Sequence, residues 1–84
     1  MNNQKTFNKK ISIILKWLDS DFVLFSKIYN HYKSILEKKY QNYFDIYFIK
    51  LVDNWVQLTK IEYMHNLTID EKIDKLEIQG LQFL

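Results

Sequence analysis

The sequence contains no cysteine, proline, arginine or alanine, and Gly80 is its only glycine. Without cysteine the chain has no disulfide, no zinc site built from thiolates and no thiol nucleophile. With one glycine it cannot form the glycine-rich loops that hold phosphates in P-loop and dinucleotide-binding proteins, and its serines lack the glycine-framed turn of a hydrolase nucleophile. We therefore expect no enzymatic activity, no cofactor and no small-molecule substrate.

Metal and acid-base sites are also not expected from the polar residues. His31 and His65, the two histidines, fall on different predicted helices and have no second ligand at a recognisable spacing. The acidic residues of the C-terminal part fit a helix start and a solvated helix face: Asp70, Glu71, Asp74 and Glu77.

Lysine, asparagine, isoleucine, tyrosine and phenylalanine make up half of the 84 residues. These residues have AT-rich codons, so the bias indicates a reduced, AT-rich genome such as that of a plastid, relict plastid, endosymbiont or wall-less bacterium. A chain of this length forms one domain with a small core, and we expect a partner to support it. No apolar run approaches the roughly 20 residues that a membrane span needs, so we expect a soluble protein.

Charge is distributed unevenly along the chain. Residues 1–50 contain nine lysines and four acidic residues, a net charge of +5, whereas residues 51–84 contain three lysines and six acidic residues, a net charge of −3. A basic half suggests a polyanion as a binding partner, although an ordinary solvated lysine surface would give the same count.

The N-terminal residues 1–10 are polar and lack periodicity, which predicts a flexible basic arm in front of a single domain, residues 11–84. Residues 11–18 alternate, with Ile11, Ile13, Leu15 and Trp17 on one side. A period of two predicts a strand with one apolar face.

A long helix is predicted after Asp19, Ser20 and Asp21, three possible N-cap residues. Its apolar residues recur at spacings of three and four: Phe22, Phe25, Ile28, Tyr29, Tyr32, Ile35, Leu36 and Tyr40. This spacing gives a stripe that could cover a sheet, with lysines on the opposite face.

The aromatic segment from Tyr43 to Lys50 predicts a second strand. Asp53 would end this region and cap a helix from Asn54 to about His65, with Trp55 as its buried anchor.

The last predicted helix begins with a capping box, in which Thr68 binds the Glu71 amide and the Glu71 side chain reaches back. Ile69, Ile73 and Leu76 form its apolar stripe, and Gly80 is placed as a left-handed C-cap. An apolar tail follows, comprising Leu81, Phe83 and Leu84. The complete order predicts an α+β fold, a small β-α-β-α-α domain with a two-stranded sheet covered by helices.

The six tyrosines allow two interpretations. They could stack on bases of single-stranded RNA, or they could pack in the core and at its rim. Packing fits the apolar stripes better, with Tyr40 and Tyr43 as the expected exposed exceptions.

Two segments resemble the plastid-specific ribosomal protein three family. Residues 10–23 resemble its opening strand, including Trp17-Leu18-Asp19, and residues 47–58 resemble its aromatic strand and the following Asp-x-Trp-x-Gln-Leu motif, with Asp53 and Trp55 in register. The residues from Thr68 to Leu76 are similar in position to the family's capped C-terminal helix.

The resemblance implies a structural component of the small ribosomal subunit, located in the plastid stroma. Its partners would be ribosomal RNA and adjacent ribosomal proteins, and Trp17, Asp19, Asp53 and Trp55 would have structural roles. The lysines that we expect to contact RNA phosphates are Lys5, Lys9, Lys10, Lys16, Lys33, Lys38 and Lys39. The alternative is a small protein-interaction module, such as a phage or plasmid inhibitor or an antitoxin, that binds one protein through its aromatic face and C-terminal tail.

Overall fold

The computed structural model describes residues 3–83 of the chain, except for the side chains of residues 3, 4, 81 and 83. Four α-helices follow one another: α1 (Asn3–Trp17), α2 (Phe22–Tyr40), α3 (Phe44–Thr59) and α4 (Ile69–Phe83). Short 3₁₀ helices occupy Gln41–Tyr43 and Glu62–Asn66. Residues 3–83 contain no strand, so the predicted α+β fold with a two-stranded sheet is wrong.

Helix α1 occupies both the predicted arm and the first predicted strand. Ile14 and Leu18 are completely buried, whereas Ile13, which an alternating strand would have buried, is 38% exposed. The buried residues belong to a set spaced by three and four, which is the period of a helix. The described part of the predicted arm, residues 3–10, forms the first turns of this helix.

Helix α3 replaces the second predicted strand and continues through the predicted break at Asp53. Its buried residues follow a helical spacing throughout: Phe48, Leu51, Val52, Trp55, Val56, Leu58 and Thr59. Asp53 does not cap a helix; its carboxylate lies 2.6 Å from the Lys10 ammonium of α1. The aromatic and β-branched residues that suggested a pleated strand therefore form one apolar face of a helix.

The central element is α3, which packs against each of the other three α-helices. Trp55 is fully buried in its middle, and the indole nitrogen donates a hydrogen bond to the Leu76 carbonyl of α4 at 3.1 Å. The rings of Phe25 and Tyr32 from α2 pack edge-on against it, at centroid distances of 6.0 and 6.1 Å. Trp55 is thus the core anchor that the sequence predicted.

The prediction of a long second helix is confirmed. Asp21 is its N-cap, because its carboxylate accepts a hydrogen bond from the Leu24 amide at 3.2 Å. Phe25, Ile28, Tyr32 and Leu36 from the predicted stripe are buried. Tyr29, Ile35 and Tyr40 are partly buried, and Phe22, at the first position of the helix, is the one stripe residue that is exposed.

The α1–α2 connection is a tight turn built without glycine. The Ser20 amide bonds to the Leu15 carbonyl at 2.7 Å and the Asp19 amide bonds to the Lys16 carbonyl at 3.1 Å, the pattern of a Schellman motif. Asp19 and Ser20 have φ values of 55° and 61°, in the left-handed region. An aspartate thus occupies the left-handed C′ position where glycine is the commonest residue, and Asp is among the few other residue types that adopt this conformation.

The capping box of α4 is confirmed. The Glu71 amide donates to the Thr68 hydroxyl at 3.2 Å, and the Thr68 amide donates to the Glu71 carboxylate at 3.0 Å. The predicted C-cap at Gly80 is wrong, because α4 continues to Phe83 and Gly80 does not have a positive φ. The predicted apolar tail lies outside the described side chains.

Candidate nucleic-acid interface

Three of the predicted phosphate-binding lysines form a row on α1, which we call the α1 lysine stripe: Lys5, Lys9 and Lys16. All three are exposed. Their separations of four and seven residues place them on one face of the helix, about 6 Å and about 10 Å apart along its axis. The stripe thus presents three positive charges in a line.

The surroundings of the stripe contain no negative charge from its own helix. Residues 3–17 include no aspartate or glutamate, and the exposed neighbours Asn8 and Ser12 are neutral. The Ser12 hydroxyl donates to the Asn8 carbonyl at 3.0 Å, so it is held against the helix backbone. A polyanion lying along this face meets lysines and neutral polar groups as far as Lys16, where the exposed Asp19 lines the same cavity.

Lys10 lies on another side of α1 and forms the ion pair with Asp53 described above. Both side chains are partly exposed, at 31% for Lys10 and 46% for Asp53. Exposed pairs of this kind contribute about 0–1 kcal/mol, so the bond holds Lys10 loosely. Two of the three ammonium hydrogens remain available to another acceptor.

A groove of about 690 Å³ opens between α1, α2 and α3, and we call it the aromatic groove. Its lining combines aromatic rings with charged and polar groups: Thr6, Phe7, Lys10, Tyr29, Lys33, Phe44, Asp45, Phe48 and Ile49. The Phe48 ring is its floor, with Phe7, Tyr29 and Phe44 at centroid distances of 5.8, 5.1 and 5.3 Å. The Phe44 and Phe48 rings are nearly parallel, at 16°.

The groove brings together two predicted lysines that lie far apart in sequence. Lys10 and Lys33 both line it, and Lys33 is half-buried. The Tyr29 phenol is protonated at neutral pH, as an ordinary tyrosine is, and can donate a hydrogen bond; burial raises its pKa further. Asp45 adds one carboxylate to the same lining. The site therefore has flat apolar walls, two cations and one acceptor.

Lys38 and Lys39 join neither the stripe nor the groove. They are exposed in the last turn of α2, where the helix dipole favours cations. Next to them, the Tyr40 and Tyr47 rings stack at 3.8 Å, with the Lys39 ammonium 5.7 Å from the Tyr40 centroid. The stacked tyrosines join α2 to α3, and Lys39 lies against this stack.

Comparisons of the chain with protein-family models, curated proteins and solved structures found no match. The function is therefore inferred from the sequence and the geometry of the chain itself.

The histidines are used in packing and capping. The His31 ring lies 5.2 Å from the Tyr32 ring, and the His65 Nε2 lies 2.7 Å from the Thr59 carbonyl at the end of α3. Residues 3–83 contain no group of three histidine, aspartate or glutamate side chains arranged to hold a metal ion. No helix in the same range is both long enough and apolar enough to cross a bilayer.

The tyrosine predictions have mixed outcomes. Tyr43 is exposed, as expected, whereas Tyr40 is half-buried in its stack with Tyr47. Tyr32 is buried as predicted, but Tyr63 is exposed on the second 3₁₀ helix.

Sequence analysis missed Lys72, a lysine in the core. It is 5% exposed, its ammonium donates to the Trp17 carbonyl at 2.7 Å, and it lies 5.3 Å from the Trp17 ring centroid. Its hydrogen bond thus satisfies a backbone carbonyl at the C-terminal end of α1. The signal was its spacing, because Lys72 falls three residues after Ile69 and four before Leu76, on the apolar stripe of α4.

Proposed function

We propose that this chain is a non-catalytic RNA-binding protein that contacts the phosphate backbone through the α1 lysine stripe. The observation that carries the proposal is the row of three exposed lysines on a helix with no acidic residue. Lysine ammonium groups bind phosphates as point charges and do not read bases. We therefore expect binding that depends on backbone charge and shows little sequence preference.

The particle that contains the RNA is proposed from the sequence resemblance. It points to the small ribosomal subunit of a plastid, with the chain as a structural component that contacts ribosomal RNA and adjacent ribosomal proteins. The two segments that the resemblance implied to be strands form the helices α1 and α3. Trp17 and Trp55, the tryptophans of the resembling segments, are both buried, which is compatible with the structural roles proposed for them.

The test is the salt dependence of binding to a short single-stranded RNA. Each phosphate contact contributes about −0.7 to the slope of log affinity against log salt concentration. The double variant Lys9→Gln/Lys16→Gln should therefore reduce the magnitude of the slope by about 1.4. Fluorescence anisotropy with a labelled oligonucleotide measures it.

The matched control is Lys27→Gln/Lys60→Gln, which removes two exposed lysines outside the stripe. Its net charge equals that of the stripe variant, but we expect its slope to stay close to that of the unmodified protein. Equal slopes for the two double variants would contradict a binding face on α1 and would point to diffuse attraction by net charge.

A second candidate function, the protein-interaction module, is favoured by a surface that is separate from the α1 lysine stripe and meets the aromatic groove at Ile49. Tyr43, Ile46 and Ile49 are exposed at intervals of three residues on and beside α3, and their exposed fractions are 63%, 54% and 47%. An apolar row of this kind is typical of a protein contact.

Sedimentation of a lysate from the source organism separates the two functions. A complex that ribonuclease or high salt dissolves supports RNA binding. A complex that survives both treatments and is lost in the Tyr43→Ser/Ile46→Ser variant supports the protein-interaction module. The variant Phe22→Ser, which alters an exposed apolar residue on α2, is the control.

A further inference from the structure

We propose that the aromatic groove binds one unstacked nucleobase of a single-stranded RNA whose backbone follows the α1 lysine stripe. This inference rests on the proposed function, since it assigns a second contact to the same RNA. It adds a stacking site to an interface that otherwise binds phosphate alone.

The aromatic groove lies beside the α1 lysine stripe. Thr6 and Lys10 line the groove, and each directly follows a stripe residue, Lys5 or Lys9. Successive residues of an α-helix point about 100° apart, so the stripe and the near wall of the groove occupy adjacent faces of α1. An RNA strand held on the stripe can therefore reach the groove around the side of α1 that carries Thr6 and Lys10.

The size of the groove and the chemistry of its walls suit a nucleobase. The volume of about 690 Å³ falls within the range of roughly 300–1,000 Å³ that is usual for small-ligand sites. Phe44 is half-buried, so part of its ring surface remains accessible beside the buried Phe48 ring that stacks on it. Bases of single-stranded RNA bind to such aromatic faces by stacking.

The charged residues that line the groove fit a nucleotide better than they fit an apolar anion such as a fatty acid. Lys10 and Lys33 line the groove from different helices, where they can bind the phosphates on either side of an inserted base. Asp45 would repel the carboxylate of a fatty acid, but it can accept a hydrogen bond from the exocyclic amine of a base such as cytosine. The groove therefore combines a stacking surface, two phosphate donors and an acceptor for a base edge.

The experiment compares a short oligocytidylate with an abasic oligomer that carries the same number of phosphates. Both oligomers can bind the stripe, but only the oligocytidylate can place a base in the groove. We expect the unmodified protein to bind the oligocytidylate more tightly. The variant Phe44→Leu should weaken oligocytidylate binding about 5- to 50-fold and leave abasic binding unchanged.

The control Phe22→Leu makes the same substitution at an exposed phenylalanine outside the groove and should change neither affinity. The contribution of the Lys33 ammonium is tested in the same way. Lys33→Gln should weaken oligocytidylate binding more than Lys27→Gln, which removes a lysine of the same helix outside the groove. Thermal unfolding followed by circular dichroism identifies a variant that is not folded at the assay temperature. In that case Phe44→Tyr, which keeps the stacking face, should restore both the fold and the affinity for oligocytidylate.

Each outcome has one meaning. Equal affinity of the unmodified protein for the two oligomers, with the stripe variant weakening both, would overturn the groove and leave backbone binding in place. An equal effect of Phe44→Leu and Phe22→Leu would also overturn it. If the protein bound neither oligomer, both the proposed RNA-binding function and the nucleobase site in the groove would be overturned.

Discussion

Gly80 lies against the ring of Tyr32, so closely that a Cβ atom at position 80 would come within 2.7 Å of ring atoms Cε1 and Cζ. The Tyr32 hydroxyl donates to the Glu77 carbonyl one turn earlier in α4, at 2.9 Å. The ring is thus held between α2 and α4, and it is 4% exposed. The single glycine of the chain serves this helix contact rather than a turn.

Gly80→Ala should therefore destabilise the protein although it improves helix propensity. Alanine favours a helix over glycine by about 1 kcal/mol, but overpacking a buried site costs about 1–3 kcal/mol. Because the Tyr32 ring is fixed at both its face and its hydroxyl, we expect a net loss of about 1 kcal/mol. Urea unfolding followed by circular dichroism measures it.

The double variant Tyr32→Leu/Gly80→Ala tests the cause. In the Tyr32→Leu background, the space beside position 80 is open, so Gly80→Ala should be neutral or stabilising by up to about 1 kcal/mol. A stabilising effect of Gly80→Ala in the unmodified protein would contradict the close contact.

The two tryptophans offer a second prediction, because they differ in hydrogen bonding. Trp55 donates to the Leu76 carbonyl, whereas the buried Trp17 indole nitrogen has no partner among the described residues. Trp55→Phe should therefore cost about 1 kcal/mol more than Trp17→Phe, since only the first substitution removes a hydrogen bond. Urea unfolding of both variants by circular dichroism gives the difference, and equal losses would contradict it.

Trp55→Ala should lower the free energy of unfolding far more than Trp55→Phe or Trp17→Phe. Truncating a fully buried tryptophan costs about 3–5 kcal/mol, which is a large fraction of the roughly 4–13 kcal/mol expected for a domain of this size. The free energy of unfolding of the variant should fall by this amount, as measured by urea unfolding followed by circular dichroism. A loss below about 1 kcal/mol would place Trp55 at the surface.

The capping box of α4 predicts a pH dependence. The hydrogen bonds from the Thr68 amide and hydroxyl, together with the nearby Lys75, lower the pKa of the Glu71 carboxyl below its usual value of 4.5. A carboxyl whose pKa is depressed by folding stabilises the fold above its unfolded pKa, and the contribution disappears as the pH falls through the folded value. Glu71→Ala should therefore be less stable than the unmodified protein at pH 7, and the difference should vanish in acid.

Asp74→Ala is the control for this prediction, since it removes an exposed carboxylate from the same helix outside the capping box. Thermal unfolding of both variants is compared between pH 7 and a pH well below 4.5, where the Glu71 carboxyl is protonated in the folded state as well. If the deficit of Glu71→Ala were the same at both pH values, the carboxylate would not be the source of the stabilisation.

The parts predicted correctly from sequence are those where one period or one motif was unambiguous. The apolar stripe of α2 runs for five turns at helical spacing, and the Thr68 capping box is a local pattern with its own hydrogen bonds. Neither depends on what the rest of the chain does.

The wrong predictions came from segments that fit two periods. Ile11 to Leu18 contains apolar residues at both alternating and helical positions, and only burial of Ile14 instead of Ile13 decides between them. In α3, the aromatic residues suggested a strand, but packing around Trp55 overrides a propensity that is itself largely a matter of context. The spacing of Phe48, Leu51, Val52 and Trp55 across Asp53 was a local helical signal, but the ion pair of Asp53 could not be read from the sequence because Lys10 belongs to another helix.

The candidate interface was predicted in part for the same reason. The lysines of α1 were identified from charge, but their alignment into a stripe required the helix. The aromatic groove was not predicted at all, since Phe7, Tyr29 and Phe44 come from three helices and meet only in the folded chain.

The packing of α1 on α3 also determines when the core closes during synthesis. Domains emerge from the ribosome with the N-terminus first, and α1 emerges well before α3, which ends at Thr59. Until then, Ile14 and Leu18 have no α3 surface to pack against. The nascent chain therefore exposes an amphipathic, positively charged segment while α2 is being made, and its burial waits for the segment that holds Trp55.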